Sequence, residues 1–505
     1  MTTPTLVNDI HRLLAQGQLQ QAHHRLVQAL QHAPNDHLAW SLLAQVNMQA
    51  GDLHKALKVI DKALSLSQQS DYHVAKAKYL YLLGDVSGCQ CILAQLESDT
   101  FDDAIILDTL ANLHTRLGHY ETAHQYQLNA LEHEPKNADI LVNSAISHTI
   151  VGQQEQAIAL LHKALDKDPA HHRAHYILAQ QSNTEDAPAH IKQLSALLTR
   201  PASPLAQQHL LHAKALEHEK LEEFHEAFIA FEHSKKAQDG RVQFDAKRHH
   251  DFCQDIMTLP VLSATKERAQ PVFIAGMPRS GTTLLDKIAC QSTQLASMGE
   301  LNDIAQLVKQ ISNVQGGGIV STQILQSAAH ANLTHLADAY LQRYNQLKGA
   351  CERGCDKQPF NFYYIDFIVA AFPHAKIVLM LRDKEDTCIA NMRQLYQVQS
   401  PFHHYAFDLS NIQAFYDDYV MLASHFANKY PHNVVIQRYE QLAMQGEPVI
   451  RTLYDFCALP WQNDSLAFYT TASACATASK LQIRQPLNTR SIGFWQHYKA
   501  QYEQY

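Results

Sequence analysis

Residues 271–289 read PVFIAGMPRSGTTLLDKIA and predict a buried strand, a glycine-rich turn and a helix in direct succession. The first five residues form the short apolar run expected of a strand buried in a parallel sheet. Gly276 and Gly281 bound the turn, and Thr282 begins the helix. Backbone N–H groups of such a turn, together with the helix N-terminus, bind an anion. The stretch therefore predicts an α/β domain with a phosphate-binding loop.

The spacing of Gly276 and Gly281 is that of nucleotide-triphosphatase phosphate loops, in which a Lys follows the second glycine. Thr282 stands at that place in this chain, and Arg279 supplies a cation from inside the loop. A P-loop kinase is therefore disfavoured. It stays open as an alternative, because a Walker-B Asp is hard to exclude from one sequence.

Four later segments place charged or aromatic residues beside predicted strands and turns. They are MGEL at 298–301, DKQPFN at 356–361, KIVLMLRD at 376–383 and NVVIQRYE at 433–440. The last two are predicted to be a second and a third buried strand, with Arg382 and Tyr439 at their ends. Open α/β sheets bind ligands at the carboxyl ends of their strands. We therefore expect these segments to share one site with the phosphate loop.

Together these segments resemble the PAPS-dependent sulfotransferases over about residues 268–500. The nearest branch holds the tyrosylprotein and heparan-type sulfotransferases and the bacterial repeat-fused members. The resemblance implies a three-layer α/β P-loop-like domain with a parallel sheet, which uses PAPS, releases PAP and requires no metal. In the family the P-R-S-G-T-T loop grips the 5′-phosphosulfate of PAPS. Carried over, that role falls to Arg279, Ser280, Gly281, Thr282 and Thr283.

The resemblance also implies the catalytic residues. Glu300 matches the family's base, and a carboxylate near the sulfuryl group can take the proton of an attacking hydroxyl. Lys357 matches the Lys that contacts the oxygen bridging sulfate and PAP, where an ammonium stabilises developing negative charge. Arg279 is expected to stabilise the same developing negative charge. The expected reaction is in-line transfer of the sulfuryl group from PAPS to an acceptor hydroxyl.

The family binds the 3′-phosphate of PAPS with an Arg at the end of the second strand and a Ser eight residues later. Arg382 matches the Arg, but Ala390 stands in place of the Ser. Asn391 is one candidate for compensating that loss. Tyr439 matches the adenine-side strand and is a candidate cofactor residue.

The last segment resembles the flexible basic segment that closes over PAP in repeat-fused members. Ser479 matches a family Ser near the sulfuryl group, and Arg484 and Arg490 are its cations. Many members carry Arg or Lys just before the Trp, where this chain has Phe494. The changes at Ala390 and Phe494 leave open a second alternative, a non-catalytic adaptor with a decayed PAP-binding domain.

The first half of the chain carries an internal repeat of about 34 residues. Its turn glycines are Gly17, Gly51, Gly84, Gly118 and Gly152. A small residue follows each glycine by five positions, as needed where two antiparallel helices cross closely. The pattern resembles the tetratricopeptide repeat, so an α-solenoid is expected that binds a peptide or protein in its groove or serves as a spacer or dimerisation arm.

These features predict three regions. Residues 1–240 form the solenoid, with about five clear repeats, one or two degenerate ones and an irregular break near 181–206. Residues 241–267 connect it to the sulfotransferase domain, residues 268–505. The acceptor is a molecule with a free hydroxyl, which the repeats would hold if it is a peptide or protein. A homodimer stays open.

The composition limits which classes of partner and which cellular compartment are expected. The 505 residues are 46% hydrophobic and carry a formal net charge of -8, which speaks against a nucleic-acid binder. No signal peptide or membrane span is expected. Nine scattered cysteines without a disulfide framework favour the cytoplasm. None of the 32 histidines falls in the phosphate loop or in the Glu300, Lys357 and Arg382 segments, so their abundance is interpreted as a surface feature of the solenoid and not as a metal site.

Overall fold

The computed structural model describes residues 3–266, 269–316, 318–461, 463–469 and 485–505. Packing divides the chain into two units, Met1–His171 and His172–Tyr505. The described helices of the first unit are α1 (Pro4–Ala15), α2 (Leu19–His32), α3 (His37–Gln49), α4 (Leu53–Leu66), α5 (Ser70–Leu82), α6 (Val86–Gln95), α7 (Ala104–Arg116), α8 (Tyr120–His133), α9 (Ala138–Ile150) and α10 (Gln154–Lys167). In the parts of the chain that the structure describes, no helix has both the length and the apolarity needed to cross a bilayer.

The helices of the first unit pack as successive pairs, from α1 with α2 to α9 with α10. The five repeat glycines stand in the turns inside the pairs, with φ between +70° and +90°. An L side chain is strained in this left-handed region, so glycine is the residue that ends one helix and starts the next at low cost. The predicted helical repeat is confirmed.

The small residues of the repeat lie where the helices touch. Ala22, Ala56, Cys89 and Ala157 are fully buried, and Ala123 is nearly so. Each lies in the first half of the second helix of its pair. A larger side chain there would force the two helices apart, because protein interiors have no spare volume. The repeat spacing is therefore a packing constraint.

The second unit begins with five helices, α11 (His172–Gln181), α12 (Ala187–Leu198), α13 (Pro204–Lys220), α14 (Phe224–Lys236) and α15 (Ala246–Met257). Within the predicted break at 181–206, the structure has α12 and the first residues of α13. The 34-residue spacing is interrupted there, although much of the segment is helical. The predicted connector 241–267 likewise contains α15. The domain boundaries remain predictions.

The rest of the second unit is an α/β fold. Its strands are β1 (Val272–Gly276), β2 (Leu295–Ser297), β3 (Arg353–Asp356), β4 (Lys376–Leu381) and β5 (Val434–Arg438). Its described helices are α16 (Thr282–Ala289), α17 (Asp303–Ser312), α18 (Thr322–Ala329), α19 (Leu333–Leu347), α20 (Ile365–Ala371), α21 (Lys384–Met392), α22 (Leu409–Lys429), α23 (Tyr439–Gln445), α24 (Glu447–Phe456) and α25 (Lys499–Tyr502). Short 3₁₀ helices include Pro359–Tyr364, Pro401–Phe407 and Phe494–Tyr498.

The five strands form one parallel sheet in the order β2-β3-β1-β4-β5. Successive residues of the central strand serve two cores, because side chains alternate across a strand. Phe273 and Ala275 join the core built with α17 to α22. Val272 and Ile274 join the core built with α16 and α24. The sheet is thus covered on both faces, and the predicted three-layer parallel α/β fold is confirmed.

The buried alanines of the repeat give a test of its packing. We expect Ala157→Leu on α10 to destabilise the protein by about 1–3 kcal/mol, because overpacking forces backbone shifts. Ala159→Leu is the matched control, since Ala159 is exposed on the same helix. Calorimetric unfolding of the full chain measures both. Equal stability of the two variants would contradict a close helix crossing at Ala157.

Candidate functional site

The predicted site residues follow the carboxyl ends of the five strands. Because all strands run parallel, these ends share one edge of the sheet. Along that edge the order is Glu300 after β2, Lys357 after β3, the phosphate loop after β1, Arg382 after β4 and Tyr439 after β5. The sheet thus brings together segments that are up to 160 residues apart in the sequence.

The phosphate loop has the backbone of an anion cradle. Gly276, Arg279 and Gly281 have φ values of 151°, 71° and 107°. A Cβ on Gly276 would lie 2.7 Å from the Met380 carbonyl oxygen, and a Cβ on Gly281 would lie 2.8 Å from Cδ2 of Tyr439. No larger residue fits either position, so the loop folds tightly against the ends of the neighbouring strands.

The loop leaves hydrogen-bonding capacity directed at a ligand. The Ser280 hydroxyl is buried and has no hydrogen-bond partner among the described residues. Helix α16 starts at Thr282 with Gly281 as its N-cap and no capping side chain, so its first N–H groups are available. Burial, helped by the charges of Arg393 and Arg382, lowers the pKa of Arg279. These observations fit an anion held at the loop.

A cavity of about 280 Å³ opens beside the loop. Its walls come from three places, namely the loop, the ends of β4 and β5, and the C-terminal residues 485–491. The lining residues are Arg279, Gly281, Thr282, Thr283, Leu284, Arg382, Tyr439, Gln485, Pro486, Leu487, Asn488, Arg490 and Ser491. Seven of the ten residues predicted to bind the cofactor therefore line one cavity. Ser280 belongs to the loop itself, and Ser479 and Arg484 lie outside the described residues.

Arg382 is held in place from three sides. Its Nη1 donates to the Arg279 carbonyl oxygen at 3.1 Å and its Nη2 to the Ser491 carbonyl oxygen at 2.5 Å. Its guanidinium carbon lies 5.1 Å from the centre of the Tyr439 ring. Its Nε is buried and has no hydrogen-bond partner among the described residues. A fixed guanidinium with an unused donor suits a phosphate group.

Asn391 does not compensate for the missing Ser at Ala390. Its amide nitrogen donates to the carbonyl oxygens of Pro278 and Thr387, both at 2.9 Å. Its side-chain oxygen accepts from the hydroxyls of Tyr396 at 2.8 Å and Tyr405 at 3.0 Å. Asn391 is fully buried and satisfied, so it supports the phosphate loop from behind and offers nothing to a ligand.

Phe494 also has a packing role. Its ring lies beneath the guanidinium of Arg393, with 4.4 Å from the guanidinium carbon to the ring centre. Arg490, four residues earlier, is exposed and lines the cavity. The C-terminal segment thus presents one described cation to the cavity, and the position before Trp495 is used for packing.

Glu300 and Lys357 form an ion pair on the other side of the phosphate loop. The pair is close because the Lys357 N–H donates to the Gly299 carbonyl oxygen at 2.9 Å. The Lys357 side chain is 3% exposed, whereas that of Glu300 is 47% exposed. The ammonium is therefore enclosed, and the carboxylate faces the solvent.

Asp356 lies directly beneath this pair. Burial raises the pKa of Asp356 to about 8, and the charge of the nearby Asp303 carboxylate contributes to the same rise. The Tyr340 hydroxyl donates to its carboxyl group at 3.1 Å. With a pKa near 8, the Asp356 carboxyl is mostly protonated at neutral pH, and the carboxylate that pairs with Lys357 is that of Glu300.

Sequence reasoning missed Asp386, which fixes the C-terminal segment. This buried carboxylate accepts from the backbone N–H of Gly493 at 2.7 Å and of Trp495 at 3.0 Å. It lies on α21, one turn after the predicted Arg382 and 107 residues before its nearer partner. No local pattern marks such a residue, because its partners are distant backbone groups.

Two groups of side chains carry the donor types of a metal site, His249 with Cys253 and Asp418, and Asp286 with Cys290 and Cys355. In the first, the sulfur lies 4.0 Å and 3.8 Å from the two ring nitrogens. The His249 ring nitrogen Nδ1 also bonds Asp418 at 2.7 Å. In the second, the thiol of Cys290 donates to Asp286 at 3.5 Å. Neither group contains a residue predicted for the reaction.

Comparison with known proteins finds a matching family model in each half of the chain. The sulfotransferase family model matches residues 271–463, and a tetratricopeptide-repeat model matches residues 13–79. The chain therefore joins tetratricopeptide repeats to a sulfotransferase-family domain, as the sequence resemblance predicts.

Two relatives show how far the likeness extends. An uncharacterized protein of Aquifex aeolicus (strain VF5) is 28% identical over 387 residues, which are 73% of this chain and 50% of that protein. Protein-tyrosine sulfotransferase 1 of Danio rerio is 25% identical over 252 residues, which are 44% of this chain and 65% of that protein. The chain thus spans between half and two thirds of the length of these relatives.

One solved structure carries a similar name. The sulfotransferase domain of the olefin synthase from Synechococcus PCC 7002 aligns with 46% of this chain and 90% of its own, at 16% identity and a TM-score of 0.33. The assignment of the family therefore rests on the sequence matches.

The raised pKa of Asp356 has a measurable consequence. Unfolded Asp titrates near 3.9, so between about pH 4 and pH 8 the folded protein holds a proton that the unfolded chain releases. Stability should therefore fall as the pH rises through this range, by at most about 1.4 kcal/mol per pH unit, and level off above it. Asp356→Asn should remove this slope and be more stable than wild type at pH 8.

The control for this measurement is Asp251→Asn, because Asp251 is exposed on α15. Chemical denaturation at pH 5 and pH 8 compares the three proteins. A wild-type slope that persists in Asp356→Asn would show that the carboxyl of Asp356 is ionised in the folded protein.

Proposed function

We propose that this protein transfers the sulfuryl group of PAPS to an acceptor hydroxyl. The observation that carries the proposal is the single sheet edge that bears the phosphate loop, Arg382 and Tyr439 on one side and the Glu300–Lys357 pair on the other. Anion binding and proton transfer thus lie side by side. The match of residues 271–463 to the sulfotransferase family supports the same reaction.

The donor side would be built on the cavity. Ser280 and the N–H groups that open α16 would hold the 5′-phosphosulfate, since both are left with binding capacity. Arg279 would join them, because it lines the same cavity. Arg382 and Arg490 would hold the 3′-phosphate, because both residues line the cavity. Tyr439 would take the adenine side. When bound, PAPS supplies the activated sulfuryl group.

The acceptor side would use the ion pair. Glu300 is exposed and would take the proton of the attacking hydroxyl, at its carboxylate oxygen. Lys357 is enclosed and would stabilise the negative charge that grows on the leaving oxygen. Their contact holds both groups at the same place before substrate arrives, so little reorganisation is needed. Positioning and electrostatics then supply the catalysis, and no metal is invoked.

The acceptor we favour is a tyrosine hydroxyl of a protein. Relatives of this chain in Danio rerio and Drosophila melanogaster are named protein-tyrosine sulfotransferases. Tetratricopeptide repeats present a groove suited to extended peptides, so the repeats of the first unit would bind the acceptor protein. A cytoplasmic site of action is supported by the cysteines, because the eight that the structure describes are free.

Glutamine at Glu300 tests the proposed base. We expect Glu300→Gln to slow sulfuryl transfer by at least about 100-fold, because the amide cannot take a proton but still accepts from Lys357. PAP affinity should stay within about threefold of wild type. Glu352→Gln is the control, because Glu352 is exposed and directly precedes β3, at the end of the strand opposite to Lys357.

The readout is labelling of lysate proteins with radioactive PAPS, followed by amino-acid analysis of the label. Wild-type rates in Glu300→Gln would refute the role of Glu300. Label on serine or on sugar would replace tyrosine as the acceptor but leave the reaction intact.

Ligand choice separates the proposed reaction from its alternatives. We expect PAP to raise the melting temperature of the full chain, by an amount that corresponds to about 2.7 kcal/mol at 100 times its Kd. Mg-ATP should have no such effect, since Thr282 stands where a kinase loop needs Lys. Thermal unfolding with each nucleotide measures this. Stabilisation by Mg-ATP alone would favour a kinase, and PAP binding without any label transfer would favour an adaptor.

A further inference from the structure

Three distant parts of the second unit meet at the carboxylate of Glu219. Glu219 lies near the end of α13, in the helical segment that precedes the sheet. Arg393, which directly follows α21, donates to it twice, from Nε to Oε1 at 2.5 Å and from Nη2 to Oε2 at 2.9 Å. The Tyr498 hydroxyl of the C-terminal 3₁₀ helix donates to the same Oε1. The Glu219 side chain is 9% exposed, so these contacts are largely shielded from water.

Residues 485–505, here named the C-terminal strap, form one wall of the nucleotide cavity. Residues 485–491 line the cavity directly. The strap is tied down near its middle, where Asp386 accepts from Gly493 and Trp495 and Arg382 donates to Ser491. Further along, the Tyr498 hydroxyl donates to Glu219, and at the end of the strap the Tyr505 hydroxyl donates to Glu232 at 2.7 Å.

Arg393 connects the same carboxylate to the phosphate loop. It is the C-cap of α21, and Asn391 two residues earlier bonds the Pro278 carbonyl oxygen of the loop. The Arg393 guanidinium also stacks on Phe494 of the strap. One carboxylate therefore fixes the helix that supports the loop and the strap that covers it.

The charge of Glu219 makes this contact strong. A bidentate guanidinium–carboxylate pair is more directional than a single ion pair, and neutralising Glu219 leaves the Arg393 guanidinium, whose side chain is 32% exposed, without its charged partner. The Glu219 carboxylate raises the pKa of Arg393 against the opposing effect of burial. Neutralising Glu219 should therefore loosen both partners at once.

We propose that Glu219 is a positioning residue for the nucleotide, which holds the C-terminal strap closed over the cavity through Tyr498 and Arg393. The proposal rests on the proposed function, because the nucleotide in question is PAP. It gives the helical segment before the sheet a direct influence on how long the nucleotide stays bound.

The first test compares Glu219→Gln with Glu226→Gln, since Glu226 is exposed on the neighbouring helix α14. Calorimetry and stopped-flow dissociation with PAP measure affinity and rate on the full chain. We expect Glu219→Gln to weaken PAP binding about tenfold, through faster dissociation with an unchanged association rate. Glu226→Gln should behave as wild type. Equal PAP dissociation rates in the two variants would overturn the proposal.

A second variant tests the proposal even if Glu219→Gln fails to fold. Tyr498→Phe removes one hydroxyl and keeps the Glu219–Arg393 pair, so it should fold and release PAP about threefold faster. The double variant should release PAP no more than about twice as fast as Glu219→Gln, because both changes act through one carboxylate. Additive effects would mean that Glu219 and Tyr498 act independently, against the proposal.

Hydrogen exchange separates this proposal from the proposed function. In protein without nucleotide, the backbone amides of Gly493 and Trp495 should exchange faster in Glu219→Gln than in Glu226→Gln, while the strands keep their protection. Unchanged exchange would overturn the role of Glu219 whatever the ligand is. If wild type binds no PAP, the proposed function fails, and faster exchange would still establish the contact.

Discussion

The parallel direction of all five strands is the constraint on which the site depends. It puts every strand's carboxyl end on one edge, so residues that share no local sequence become neighbours there. The central position of β1 places the phosphate loop in the middle of that edge, between β3 with its Lys357 and β4 with its Arg382. A single antiparallel strand would move one of these groups to the opposite edge. The strand topology therefore determines which segments of the chain lie next to one another in the site.

Supports behind the edge hold the loop in an unfavourable backbone conformation. Arg279 has a φ of 71°, which costs a non-glycine residue of order 1 kcal/mol or more. The Arg279 carbonyl oxygen is held by Arg382, and the Pro278 carbonyl oxygen by Asn391. Both supports come from the end of β4 and from α21, the helix after it. This region therefore anchors the phosphate loop that follows β1. The loop can then keep its N–H groups and the Ser280 hydroxyl for a ligand.

Local sequence pattern was enough to predict the repeat, the phosphate loop and the strand ends, because each is governed by residues near in sequence. The five glycines could be predicted to stand in turns, and they do. β2 and β3 were not predicted as strands, because three and four residues carry no clear period. The roles of Asp386 and Glu219 could not be predicted either. Their partners lie 107 and 174 or more residues away, and only the folded chain brings them together.

The two departures from the family pattern, Ala390 and Phe494, have the same consequence, which is one fewer group able to bind the ligand. Ala390 offers no hydroxyl, and Phe494 offers its ring to Arg393 instead of a charge to the ligand. Each missing charge-assisted hydrogen bond is worth about 1.5–3 kcal/mol. Under the proposed function, Arg382 and Arg490 would be the described cations that line the 3′-phosphate side of the cavity. With fewer direct contacts, a larger share of the nucleotide affinity would then come from enclosure, since a wall that excludes water strengthens the charge interactions that remain. The residues that keep the strap in place, Asp386 and Glu219, therefore matter more in this chain than they would in one that retained both ligands.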